Sequence, residues 1–471
     1  MLQKVATGTL LALAVAISLP LNAQKRGAVS VWLTTPDRAA LLARQNSTLQ
    51  FEKTAATGLP VVEVNDKLKY QSMDGFGFAL TGGSAQLMMK MDAAQRESLL
   101  QELFGTAAGD IGVSYIRVSI GSSDMNDHAF TYDDMPAGKT DADLKHFSLG
   151  PDATTVVPVL KEILAINPRL KILGSPWSAP AWMKSNDDLK GGSLKPGYYA
   201  TYAHYLATYI EQMKQHGITI DAITPQNEPL NPNNLPSLVM QAKQEAQFIS
   251  QALGPAFRSA GIKTKIIVYD HNCDRPDYPM TILADPAAAQ YVDGSGFHLY
   301  GGEITAMTRV HDAYPHKNLY FTEQMTVDQP GDPKLDIAEP VARLIVGAPR
   351  NWSRNVLLWN LAADPHFEPH TNNGGCPVCE GAITLDGNKV TRNVAYYTVA
   401  HASKFVRPGS IRIASTEASG LSDVAFRTPD GHTALIVANP GKENVKFAIH
   451  YRNKNALTEL GAGAVATYVW K

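Results

Sequence analysis

Apolar residues gather along this chain in short runs that close abruptly on small or polar residues. From residue 76 eight such runs follow one another: FGFALTG (76–82), YIRVSIG (115–121), KILGSPW (171–177), AITPQNEP (222–229), KIIVYDHN (265–272), GSGFHLY (294–300), NLYFTEQ (318–324) and VLLWNLAA (356–363). Longer stretches separate them, several with the three- and four-residue apolar spacing of a helix. AAQRESLLQELFG (93–105) reads as a helix ended by Gly105, and TTVVPVLKEILAINP (154–168) sets Leu160, Ile163 and Leu164 on one face before Pro168 stops it. YYATYAHYLATYIEQMKQHG (198–217) is a third helix, its Tyr and Leu stripe expected to pack against the sheet. Eight strands alternating with helices predict a (β/α)8 TIM barrel over 71–400. A doubly wound open sheet competes with this, but no G-x-G-x-x-G opens a helix, and GFGFALTGG has the wrong spacing for one.

The rhythm differs at the two ends. VSVWLTT, TLQFEK and VVEVND near the start, and SIRIAST, SDVAFRT, TALIVANP, VKFAIHY and AVATYVWK after residue 400, are short runs rich in β-branched residues and separated by turn formers. They predict a flanking antiparallel β-sandwich built from both chain ends, 24–70 and 401–471. Ahead of it, MLQKVATGTLLALAVAISLPLNAQKR has a basic start, an apolar centre and Leu21-Asn22-Ala23 before Gln24. This is the layout of a secretory signal peptide, residues 1–23, cleaved after Ala23. The apolar run is short for the roughly 20 residues of a membrane span, so a secreted or periplasmic protein without stable membrane insertion is expected.

Composition narrows the partners. The 471 residues are 44% hydrophobic and 18% charged, as in an ordinary folded protein, and a net charge of −2 provides no basic field for nucleic acid. Of three cysteines, Cys376 and Cys379 form one C-x-x-C in GGCPVCEG, without a second pair for zinc or a following helix for thioredoxin-like chemistry. A local loop disulfide with Cys273 free is one reading, and three reduced thiols are the other.

In a closed α/β barrel the reactive groups sit where strands end. The fourth run ends in Gln226-Asn227-Glu228-Pro229 and the seventh in Phe321-Thr322-Glu323-Gln324. A glutamate at one strand end is as readily a helix-start residue favoured by the helix dipole. Two at matching ends form the paired carboxylates of glycoside hydrolysis, one protonated to release the leaving oxygen and one ionised to attack. The other ends carry Asp124, Trp177, His298, Tyr300 and Trp359, and with Asn227 these supply aromatic faces and hydrogen-bonding groups suited to a sugar. Trp182 is expected to pack a loop. Asp270, His271 and Asp274, read as a loop, show no ligand spacing, so neither metal nor other cofactor is expected.

Taken in order, DGFGFALTGGSA, YIRVSIGSSD, ILGSPWSAPAWMK, ITPQNEP, GFHLY, FTEQ and LLWNLA resemble glycoside hydrolase family 30, from about residue 70 to the end. The resemblance implies a barrel with a side β-sandwich and hydrolysis with retention, with Glu228 as acid/base and Glu323 as nucleophile. It also implies that Asp124, Trp177, Asn227 and Trp359 hold the first sugar, with His298 and Tyr300 lining it. The loop HFEPHTNNGGCPVCEGAITLDG after the eighth strand is unlike that of ceramide-cleaving members. The expected function is a secreted retaining β-glycosidase acting on β-glucosides in the manner of a glucosylceramidase. An endo-β-1,6-glucanase is the alternative within the family, and a non-catalytic carbohydrate-binding protein the alternative outside it. Glu228 is expected to hold a proton because Glu323 lies close by and burial disfavours charge.

Overall fold

The computed structural model describes residues 27–328 and 333–471. The signal peptide expected over 1–23 lies outside the described residues. Eight parallel strands close into a barrel in chain order: Gly75–Leu80, Tyr115–Ser119, Lys171–Ser175, Ala222–Ile223, Lys265–Cys273, Val292–Gly302, Asn318–Glu323 and Ser353–Leu358. All eight predicted runs supply a barrel strand. The eighth closes on the first with Val356 opposite Phe76 and Leu358 opposite Phe78. Between those phenylalanines the chain passes so near the second strand that a β-carbon on Gly77 would stand 1.9 Å from the Tyr115 carbonyl oxygen, so only glycine fits.

The helices follow their apolar periodicity. Ala93–Phe104 buries Leu99, Leu100, Leu103 and Phe104, and Gly105 closes it by donating its N–H to the Gln101 carbonyl. Val156–Ile166 buries Leu160 and Ile163 as expected, together with Val156, Val157 and Val159, whereas Leu164 turns to the half-buried flank. Tyr199–Gln215 buries Tyr202, Tyr205, Leu206 and Tyr209 against the barrel, and Tyr205 and Tyr209 stack on Tyr132 of the loop after the second strand.

Both chain ends build one curled sheet beside the barrel. Its strands run in the order Ala43–Arg44, Ala28–Thr34, Val465–Trp470, Thr433–Ala438, Ser422–Arg427, Ile411–Ser415, Val61–Ser72, Val445–Tyr451 and Lys454–Leu460, with Leu49–Gln50 also pairing Ala28–Thr34. All neighbours are antiparallel except Val61–Ser72 with Val445–Tyr451. The strand Lys454–Leu460 escapes sequence reading because KNALTEL alternates with many polar residues on an exposed edge. Arg452 and Asn453, at φ 50° and 61°, make the tight turn into it. The sheet encloses its own core of Val29, Val62, Leu435, Phe447 and Trp470.

Specific polar contacts seat the sheet on the barrel. Arg350 pairs with Asp423 at 3.1 Å. His401, on the helix Val394–Ser403, lies between the hydroxyls of Thr34 (2.8 Å) and Thr467 (2.9 Å), and burial pushes its pKa down to about 3, so it serves as a neutral linker. Among the described residues no helix is long and apolar enough to cross a membrane.

Candidate active site

The barrel interior changes character one step along its strands. Its lower layer is apolar, formed by Tyr115, Leu173, Ala222, Ile267, Tyr320 and Leu357. Two residues further on, the inward positions carry Arg117, Ser175, Thr224, Thr322 and Trp359, following the period of two of an extended chain. The fifth strand would place Tyr269 inward by that rule. Tyr269 and Asp270 instead take positive φ of 78° and 52°, and the pairing register slips there, which brings Asp270 inward.

Asp270 and Arg117 anchor the polar layer. Arg117 is fully buried and donates to Asp270 Oδ2 (2.7 Å), Glu323 Oε2 (2.5 Å), Asn227 Oδ1 (2.6 Å) and Ser175 Oγ (3.2 Å). Asp270 also accepts from the hydroxyls of Ser175 (2.7 Å) and Thr224 (2.8 Å), and its other oxygen meets His298 Nε2 at 3.1 Å. Although burial opposes its charge, Arg117 and His298 hold this carboxyl well below the usual range. The fixed Asn227 carbonyl leaves its amide NH2 group to the cavity that Asn227 lines.

Glu228 and Glu323 stand above this layer with His298 between them. His298 Nδ1 lies 3.2 Å from Glu228 Oε1 and 3.8 Å from Glu323 Oε1, so these oxygens can be separated by no more than the two lengths laid end to end, about 7 Å. Glu228 Oε2 accepts from Asn231 Nδ2 at 2.8 Å, and Glu323 Oε1 from the Tyr300 hydroxyl at 3.1 Å. The Glu228 backbone sits at φ 43°, sparsely populated by residues with a side chain, and is held by its N–H to the Asp270 carbonyl and by Asn231 N–H to its own carbonyl. Gln226 donates to the Trp177 carbonyl at 2.7 Å, which explains the polar cluster ending the fourth strand: it ties neighbouring loops together beneath the cavity.

The electrostatics reverse one expectation. Burial raises the Glu228 pKa, but hydrogen bonding and charge from His271 and His298 outweigh it, and the carboxyl is held below its usual range. Glu323 is the one raised, by burial with the Glu228 and Asp270 charges, against His298 and Arg117. His298, desolvated yet facing Glu323, Asp270 and Glu228, is raised to about 9. In the free site the shared proton therefore rests on the imidazole. Asp124 is pushed up to about 8 by burial and then by Glu323 and Glu228, which favours its neutral, hydrogen-bond-donating form.

A cavity of about 320 Å³ opens over these groups, lined by Asp124, Trp177, Asn227, Glu228, Tyr300, Glu323 and Trp359 from the sequence reading. His298, the remaining candidate, is wholly buried just beneath. Trp177 and Trp359 pack together with ring centres 5.3 Å apart, and the buried Trp177 Nε1 has no partner among the described residues. Trp182 bonds the Asp133 carbonyl at 2.9 Å, away from the cavity, as a loop-packing residue does. Sequence reading missed Arg117, Asn231, Asn234 and Asn272, and it put Asp270 and His271 in a loop, whereas both belong to the fifth strand. An arginine inside the apolar run YIRVSIG was the available signal for the first. Glu228, His271 and His298 offer ligand atoms within 4.8 Å of one another.

Two carboxylates at opposed strand ends, an aromatic wall and a ring of hydrogen-bonding groups define a barrel hydrolase of glycosidic bonds. The chain belongs to glycoside hydrolase family 30: the family's TIM-barrel domain matches residues 73–406 and its beta sandwich domain residues 409–468. An endo-1,6-beta-D-glucanase of Aspergillus fumigatus is 35% identical over 394 residues, 78% of each chain. Lysosomal acid glucosylceramidase of the mouse is 27% identical, over 88% of this chain and 84% of that one. Among solved structures, the endo-beta1,6-glucanase BT3312 superposes with a TM-score of 0.86 at 34% identity, covering 94% of this chain and 99% of the other. The protein is thus a β-glycosidase by family and fold.

Proposed function

We propose that the protein cleaves β-1,6-linked glucan within the chain, Glu323 acting as nucleophile and Glu228 as acid/base. The observation that carries the pairing is His298, whose one nitrogen reaches both carboxylates at the floor of an open cavity. An Oε1–Oε1 separation capped near 7 Å is compatible with the roughly 5–5.5 Å between the carboxyl groups of retaining enzymes. Glu323 suits attack, because Arg117 and Tyr300 hold it in place and a permanent cation favours its ionised form.

Glu228 suits proton transfer, since among the described residues no arginine pairs with it and its Oε1 touches the imidazolium. As the glycosidic oxygen gains negative character it takes a proton from Glu228, which His298 Nδ1 supplies across 3.2 Å. Glu323 forms the glycosyl bond as the leaving group departs. Glu228 then deprotonates water, which attacks the same carbon and frees Glu323. Asp124, Asn227, Trp177 and Trp359 hold the reacting glucose, and Trp177 Nε1 donates to one of its hydroxyls. The preference for glucan rests on the similarity to endo-1,6-glucanases at 34–35% identity. A glucosyl lipid is the second reading, carried by the similarity to a putative glucosylceramidase 4 of Caenorhabditis elegans at 31%. Export through the N-terminal leader completes the proposal, and the mature protein then begins at Gln24.

The test is incubation of the purified protein and its Glu323→Gln variant with β-1,6-glucan and with glucosylceramide. Oligosaccharides from the glucan, first appearing as the β-anomer by NMR and absent with the variant, support the proposal. Glucose released from the lipid alone moves the assignment to the second reading, and α-anomeric first product refutes retention.

A further inference from the structure

The loop after the eighth barrel strand carries no regular secondary structure between residues 364 and 381, yet it is tied to three other loops around the cavity. Thr371 donates its N–H to the Asp124 carbonyl (2.9 Å) and its hydroxyl to the Leu235 carbonyl (2.8 Å), while Lys190 Nζ reaches Asn373 Oδ1 at 2.9 Å. A β-carbon on Gly375 would stand 3.0 Å from the Asp124 carbonyl oxygen, so the loop lies directly on the chain that presents Asp124. At its tip Cys376 and Cys379 are joined by a disulfide that closes a four-residue turn, and both line the cavity that holds Glu228 and Glu323. Cys379 is buried in one cluster with Trp177, Trp359, Ala79 and Met125, and Cys376 packs on its edge.

Resting on the proposed glycosidase reading, we propose that the Cys376–Cys379 disulfide is a positioning element of the sugar pocket, fixing Trp177 and Trp359 for the glucose ring. Among the described residues the turn has no ladder of backbone bonds to hold its shape, so the covalent link is what keeps it in the buried cluster that contains the two indoles. Two free thiols can rotate apart, and the tryptophans then have to be ordered as the sugar binds. The carboxylates are held independently, by Arg117, Tyr300, Asn231 and His298, none of them in the turn. Loss of the link therefore weakens binding and largely spares the chemical step.

The experiment compares the full-length mature protein with its Cys376→Ser/Cys379→Ser variant, and with wild type reduced by a small dithiol and alkylated. In the reduction the dithiol gives one hydrogen to each sulfur and closes to its own disulfide. Cys273 is buried and its thiol is pushed up to about 12, so alkylation is confined to the pair. KM and kcat are measured on β-1,6-glucan and on an aryl β-glucoside, and the Kd of a β-1,6-gluco-oligosaccharide is measured by calorimetry. The expected result is a KM and Kd rise of about 2- to 12-fold for each indole that has to be ordered on binding, with a smaller change in kcat. Reduced wild type that was not alkylated recovers its KM on air oxidation. Equal KM and Kd in intact and reduced protein overturn the inference, as does a loss confined to kcat. An intact protein that turns over neither substrate overturns the functional reading instead, while the Kd comparison still decides the role of the disulfide. If the double serine variant fails to fold, the reduced wild type provides the same comparison.

Discussion

The two layers inside the barrel are made by the same strands, a single pleat apart, and they do opposite work. Leu173, Ile267, Tyr320 and Leu357 fill the lower layer and are fully or almost fully buried, so their value is packing. Arg117, Asp270 and His298 are as deeply buried above them, but each carries charge answered by charge: Arg117 to Asp270 at 2.7 Å and His298 to Asp270 at 3.1 Å. Burying such ions stabilises little in net terms, because desolvation offsets attraction. What the upper layer provides is position, a rigid cationic floor on which two glutamates are held close together without mutual expulsion. A barrel can afford this layer because the apolar one beneath it, and the helices outside, supply the stability.

Breaking the upper layer at its centre gives the largest effect. Arg117→Met leaves Asp270 and Glu323 buried without their cation, and is expected to cost roughly 3–5 kcal/mol in urea unfolding and to abolish most turnover in the protein that remains folded. In the lower layer, Leu173→Ala is expected to lose about 2–5 kcal/mol by the same assay while kcat per folded molecule stays near wild type. If Leu173→Ala lowered kcat as steeply as Arg117→Met, the division of labour between the layers would be wrong.

A gentler test uses protons. The pKa of His298 is raised to about 9, so its contribution to stability is complete below its ordinary value of 6.5 and disappears as pH rises through about 9. Glu228 is lowered, so its contribution is present above its ordinary 4.5 and is lost as pH falls through its lower folded value. Activity is expected to fall on the alkaline side near pH 9, when the proton shared by His298 and Glu228 leaves. His298→Asn should move that limb of the kcat/KM profile down by about one pH unit or more, since only the Glu228 proton then remains. An unmoved limb would show that the imidazole does not supply the proton. The smallest effect belongs outside both layers: Trp182→Phe removes one bond to the Asp133 carbonyl and should cost about 1 kcal/mol with kcat and KM unchanged.

Much of this site was legible before folding. Glu228, Glu323, Asp124, Trp177, Asn227, Tyr300 and Trp359 close apolar runs, and a strand end in such a barrel is the one place where seven chemically assorted residues can converge. What lies beneath them was not. Arg117 sits inside a run that reads as pure core, and its meaning comes from Asp270, 153 positions away. Asp270 itself points inward only because the fifth strand breaks its alternation, which no periodicity announces. The protonation of Glu228 was misjudged for a related reason: the sequence shows that two glutamates meet, but not that two imidazoles lie nearer to one of them.

The sequence by itself determined the elements and their order, because apolar periodicity and turn residues act over a few neighbours. With them came the barrel, the two-ended sheet and the residues offered at the strand ends. Only the tertiary structure decided charge and contact: that His298 rather than either carboxylate keeps the proton, that this cation lies between them, and that a disulfide from the eighth loop joins the buried cluster of Trp177 and Trp359. Coulomb forces and packing depend on distances between residues far apart in the chain, and those distances exist only after the barrel has closed.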